Sequence, residues 1–202
     1  MRLLSCAFVK KKKFEGGICE LKGVLIGNRI PREYFITRGT GESDITIHAG
    51  SYHLALKKAD IEKANIMTYS SILPAIAKEI TQPKSYVHGE VMESIMAAAH
   101  GEAGSLVTAG ITYGWLFHKK SGEKHGGLVC EHNGSYSVND IEDLLNLSLL
   151  ELYENGFRED FHLRETKLIT ESFIPKKKYG TALVALCFTN YFYPLVSKDF
   201  EL

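Results

Sequence analysis

The stretch Ala64-Asn65-Ile66-Met67-Thr68-Tyr69-Ser70-Ser71-Ile72-Leu73-Pro74 decides how this chain is read. Its first five residues form a β-type run, and Ile72-Leu73-Pro74 makes an apolar stop. A serine pair is most often a solvated turn, because the hydroxyls bond their own backbone. Here the pair lies between two apolar segments, which puts two hydroxyls at the end of a buried strand.

Working outward, residues 34–37 read as a strand, followed by a polar glycine loop over 39–44. Ser51 is placed to cap a short helix over 52–59, with Lys57 and Lys58 on its outer side. After Pro83 three β-type runs follow, over 86–99, 105–117 and 126–132. Ser137 with Asp140 three residues on approximates a capping box, and Gly156 stands at the usual stop, so a helix is predicted over 137–155. Ile141, Leu144, Leu145, Leu149 and Leu152 give that helix an apolar stripe. Strands over 166–174 and 180–193 close the pattern. Several strands between two helices predict layered α+β architecture. Residues 1–28 read as an N-terminal arm in which Val24-Leu25-Ile26 can add one strand, and 29–202 as the main domain.

Apolar residues make up 45% of the 202, enough for a full core. Lys+Arg and Asp+Glu are equal at 24 each, which gives no electrostatic case for nucleic acid or an anionic membrane as partner. Cys6, Cys19, Cys130 and Cys187 are widely spaced without a CxxC pair, the pattern of reduced thiols. At the start, Lys10–Lys13 follow the apolar stretch instead of preceding it, unlike a secretory signal. A cytoplasmic protein acting on small molecules is the expectation.

The serine pair, the Gly41-Glu42-Ser43-Asp44 loop, Gly110-Ile111-Thr112-Tyr113-Gly114-Trp115, Gly127-Leu128-Val129-Cys130-Glu131 and Tyr179-Gly180-Thr181-Ala182-Leu183 occur in one order. In that order and spacing the chain resembles the pyruvoyl-dependent arginine decarboxylases, their bacterial branch above all. The resemblance covers 31–193, some four-fifths of the chain. It implies a four-layer αββα sandwich, cleaved between Ser70 and Ser71 into 1–70 and 71–202. It also implies a pyruvoyl group made from Ser71 as covalent cofactor, and a homotrimer or higher multiple of cleaved protomers. The implied reaction converts arginine to agmatine and carbon dioxide. By the same resemblance Asn65, six residues before Ser71, serves processing, and Glu131 donates the proton that replaces carbon dioxide. Burial at a strand end would raise the pKa of Glu131, as a general acid needs.

One position departs from the family pattern. Where an aspartate usually reads the substrate guanidinium, this chain has His53. Histidine cannot act as a bidentate guanidinium acceptor. Either Asp44 or Glu42 reaches the substrate instead, or the substrate is another amino acid. A third reading is an uncleaved homologue that serves as a binding subunit. No histidine or cysteine grouping has standard zinc spacing, and no metal is expected.

Overall fold

The run Thr181-Ala182-Leu183-Val184-Ala185-Leu186-Cys187-Phe188 is buried residue after residue, which requires a strand covered on both faces. In the computed structural model, which describes residues 22–201, that run lies within the strand Tyr179–Phe192. The strands in chain order are β1 (Lys22–Ile26), β2 (Ile30–Ser43), β3 (Asn65–Thr68), β4 (Ile72–Pro74), β5 (Lys78–Glu79), β6 (Val91–Glu102), β7 (Val107–His118), β8 (Lys124–Gly134), β9 (Phe161–Phe173), β10 (Tyr179–Phe192) and β11 (Leu195–Glu201). Helix α1 (His53–Lys58) follows a π-helical turn over Ile47–Tyr52, and α2 (Val138–Gly156) stands between β8 and β9.

Two units divide the chain. In one, β1 and β11 pair antiparallel as a two-stranded ribbon. Strand β11, for which the sequence gives no signal, thus falls in this unit with β1. Of the expected arm, residues 1–21, with Cys6, Cys19 and Lys10–Lys13, lie outside the described residues.

The other unit, Arg29–Phe192, holds a five-stranded sheet in the order β3-β6-β10-β2-β5 and a four-stranded sheet in the order β4-β8-β7-β9. One cluster of buried side chains takes Ile95, Val184, Leu186 and Tyr34 from the first sheet and Leu73, Ile111, Tyr113 and Val129 from the second. Alternation along each strand sends the neighbouring residues the other way. Phe35, Leu183 and Cys187 pack with Ala55 and Leu56 of α1 and with Ala59 just after it, while Leu116 and Leu128 pack with Leu149 of α2. Ser137 caps α2 as predicted, its Oγ accepting the Asp140 amide at 3.2 Å. Among the described residues no helix is long and apolar enough to cross a membrane.

Two local expectations are corrected. The segment 39–43 is not a loop but the end of β2. Its glycines make room for the helix: a Cβ on Gly39 would lie 2.3 Å from the Ala55 carbonyl oxygen, and one on Gly41 2.2 Å from that of Ser51. Nor does Ser51 cap α1. It is fully buried in the π-helical turn, with its Oγ 2.9 Å from Thr181 Oγ1.

The decisive topological fact concerns residues 69–71. Strand β3 belongs to the five-stranded sheet and β4 to the four-stranded one, so these three residues carry the chain from sheet to sheet.

Candidate functional site

Both ends of this crossing are pinned, each to its own sheet. The Tyr69 amide donates to the Ser94 carbonyl on β6 at 2.7 Å, and the Ser71 carbonyl accepts the Val129 amide on β8 at 3.0 Å. Between them the Ile72 amide donates to the Ser70 carbonyl at 3.0 Å, closing a three-residue turn around Ser71. A donor there polarises the Ser70 carbonyl and stabilises negative charge that develops on its oxygen.

Ser71 Oγ donates to Glu131 Oε2 at 3.4 Å. Glu131 lies on β8 two residues beyond Val129 and so shares its face. Half buried, its carboxyl is pushed above the ordinary glutamate range by desolvation, against the Ser71 hydroxyl and the His132 ring, which favour its charged form. His132 is held by Ser148 of α2, Nε2 to Oγ 3.2 Å. The adjacent Cys130 is pushed up to about 11 by burial and by the Glu131 charge, so it stays a thiol and does not compete as a nucleophile.

The structure thus brings Ser70, Ser71 and Glu131 together within one protomer. It does not bring the other predicted residues there. Asn65 is exposed at the start of β3, and its side-chain amide donates to the Gly89 carbonyl at 2.9 Å. Asp44 accepts the Lys178 amide at 3.2 Å, and Glu42 the Lys176 amide at 2.7 Å. Ser43 is level with Tyr179 and Glu102, whereas the serine pair follows Thr68, which is level with Ser94. Eight residues of β6 separate those levels, about 26 Å at the rise of an extended strand. His53 is exposed and opens the helix that packs over Gly41, so it too lies toward the Asp44 end.

Three contributors escaped the sequence reading. The Ile72 amide is backbone and leaves no mark in composition. The other two are Arg29 and Glu93. Glu93, with a side chain 2% exposed, is paired with Arg29, whose Nε lies 3.2 Å from Glu93 Oε2. Arg29 also stands over the Tyr191 ring, 5.5 Å from its centroid. It lines a cavity of about 440 Å³ together with Pro31, Thr68, Tyr69, Ser70 and Ile72. The available signal is Glu93 itself, an acid set between Val91-Met92 and Ile95-Met96-Ala97.

A hydroxyl against a carboxylate, on a peptide whose carbonyl is already polarised, is the arrangement that a self-made carbonyl cofactor requires. The family model for pyruvoyl-dependent arginine decarboxylase matches residues 33–192. The chain belongs to the pyruvoyl-dependent arginine decarboxylase family. Membership makes it a carboxy-lyase whose cofactor is a covalent pyruvoyl group. It is 30% identical over 184 residues to the pyruvoyl-dependent arginine decarboxylase of Chlamydia pneumoniae, covering 82% of this chain and 94% of the relative. The Chlamydia muridarum enzyme is 31% identical over 185 residues, with the same shares covered. The pyruvoyl-dependent arginine decarboxylase of Methanopyrus kandleri is 30% identical over 156 residues, covering 77% of this chain and 95% of its own. Ser71, the carbonyl before it and Glu131 fit the making of such a group at this crossing.

Proposed function

We propose that this chain cleaves itself between Ser70 and Ser71 and then decarboxylates arginine to agmatine. The observation that carries the reading is the Ser71 Oγ–Glu131 contact beside a Ser70 carbonyl held by the Ile72 amide. Glu131 takes the hydroxyl proton as Ser71 Oγ adds to the Ser70 carbonyl carbon. The C–N bond breaks, Glu131 returns the proton to the Ser71 nitrogen, and an ester replaces the amide. Loss of the Ser71 α-proton with breakage of its Cβ–Oγ bond frees the Ser70 carboxylate. Water then converts the dehydroalanine to the ketone and releases ammonia.

The pyruvoyl group supplies an electron sink for the loss of carbon dioxide without a separate coenzyme. Glu131 acts a second time, now as the acid that protonates the substrate carbon. Its raised pKa suits that task, and cleavage raises it further by removing the Ser71 hydroxyl that favoured the carboxylate. Asn65 serves processing as a positioning residue, tying the start of β3 to Gly89.

The substrate's guanidinium needs a carboxylate that its own protomer holds far from Ser71. A homotrimer, or a higher multiple, answers this by presenting the Asp44 and His53 end of a second copy. The helix packings on the two sheets support the four-layer αββα arrangement. Free thiols at Cys130 and Cys187 support a cytoplasmic setting.

Intact mass separates the outcomes: cleavage predicts chains 1–70 and 71–202, the latter beginning with a pyruvoyl group. Agmatine assay with arginine, ornithine and lysine in parallel then tests the substrate. A single uncleaved species after long incubation would leave a binding subunit as the reading.

A further inference from the structure

We infer that the Arg29–Glu93 pair is a built receptor for the carboxylate that cleavage creates on Ser70. The inference rests on the self-cleavage proposed above. Before cleavage Arg29 is already ion-paired with buried Glu93. Cleavage adds a permanent negative charge at the end of residues 1–70. The last backbone anchor to a sheet before that end is the Tyr69 amide on Ser94, and the Ser70 carbonyl accepts the Ile72 amide of the other piece, so Ser70 is freed one residue beyond a fixed point once that single bond opens. The partner end, Ser71, stays tied to Val129 on the other sheet. Ser70 therefore turns into the cavity that it already lines, and Arg29 is the one charged side chain among the described residues lining it.

The guanidinium is prepared for this. Glu93 holds its Nε side and the Tyr191 ring lies beneath it, which fixes the plane of the fork. A guanidinium has five N–H donors and can serve two carboxylates in one plane. A fully buried glutamate is a costly way to place an arginine unless that arginine has a task. Holding the substrate's departing carboxylate would be the wrong task, because a fixed cation stabilises the ground state more than the transition state. A carboxylate that never leaves suits it. The result is a cut end held away from the ketone and from Glu131.

A thermal double cycle tests this. Arg29→Met is combined with Glu93→Gln, so that no buried charge is orphaned, in the parent and in an uncleavable Ser71→Ala protein. Arg29→Lys is run alongside as the conservative variant. Mass spectrometry first establishes cleavage in each Ser71-containing protein. The inference expects the pair variant to lower Tm by about 2–4 °C more in the cleaved protein than in the uncleaved one. It also expects carboxypeptidase to release Ser70 faster from the cleaved variant than from the cleaved parent, with Arg29→Lys in between. Equal losses of Tm in both backgrounds with unchanged Ser70 release would show a purely structural ion pair and overturn the inference. A flat cycle with a raised KM for arginine would assign Arg29 to the substrate instead. A pair variant that folds but does not cleave would place Arg29 before the carboxylate exists, again overturning it. A parent that stays whole overturns the self-cleavage reading and this inference with it, whereas cleavage with a flat cycle overturns this one alone.

Discussion

Replacing Glu131 by glutamine tests both steps assigned to the site. The substitution keeps the shape and the contact with Ser71 Oγ but removes the group that exchanges the proton. Positioned acid–base groups contribute about 10²–10⁴-fold, or about 2.7–5.5 kcal/mol of barrier. The Ser71–Glu131 distance of 3.4 Å is longer than a well-formed hydroxyl–carboxylate bond, so cleavage should slow by the lower end of that range, about 10²-fold. Turnover of fully cleaved protein, obtained by long incubation, should fall further, by about 10³–10⁴-fold. The pH dependence gives a second check. Cleavage needs the carboxylate, so its rate rises as pH passes the Glu131 pKa; turnover needs the acid, so it falls as pH passes that pKa. Burial places both transitions above the ordinary value of 4.5, and the turnover transition lies higher because the Ser71 hydroxyl is gone. Cleavage is followed by intact mass against time, and turnover by carbon dioxide release. A glutamine variant that cleaves at the parent rate, with the parent's pH profile, would refute Glu131 as the base.

Ser71→Ala removes only one hydroxyl, and is expected to stop cleavage altogether while leaving circular dichroism and Tm close to the parent's. Asn65→Ala loses a hydrogen bond at a strand start, and is expected to lose about 1 kcal/mol of stability in urea melts. Its cleavage should slow less than tenfold, since a lost oxyanion donor would take about 10²–10³; a loss of that larger size would put Asn65 at the Ser70 carbonyl. Asp44→Asn should leave cleavage unchanged and raise KM for arginine. If the carboxylate comes from another copy, as proposed, mixing Asp44→Asn with Ser71→Ala protomers should restore part of the activity, and no restoration would refute delivery across copies.

Features set by neighbours along the chain were legible in the sequence. The α2 stripe, its Ser137 cap, the long run of β10 and the break after Thr68 each follow from adjacent residues. The glycines at 39 and 41 were misread because glycine marks either a turn or a close approach, and only the position of α1 tells which. Ser51 misled in the same way: a hydroxyl before an apolar run suggests a cap, yet its partner is Thr181, 130 residues away. Ser71 and Glu131 each stand out in the sequence and the structure shows their contact, while Arg29 and Glu93, 64 residues apart, have no local pattern to link them.

The strand order β3-β6-β10-β2-β5 has a kinetic consequence. A cut after Ser70 assigns β2 and β3 to the short chain and β6, β10 and β5 to the long one. The two strands of the short chain are then separated by two strands of the other, and β2 keeps a register with β10 from Tyr179↔Ser43 to Phe192↔Ile30. Neither piece can leave without opening the middle of a sheet. The uncut chain acquires this interleaving in a unimolecular reaction, whereas cut chains that have been unfolded must find one another by diffusion. If the chain is cut there as proposed, folding of a single uncut protomer is independent of concentration and that of the two cut pieces is second order, so the peptide bond at Ser70 would act as a tether while the protomer folds.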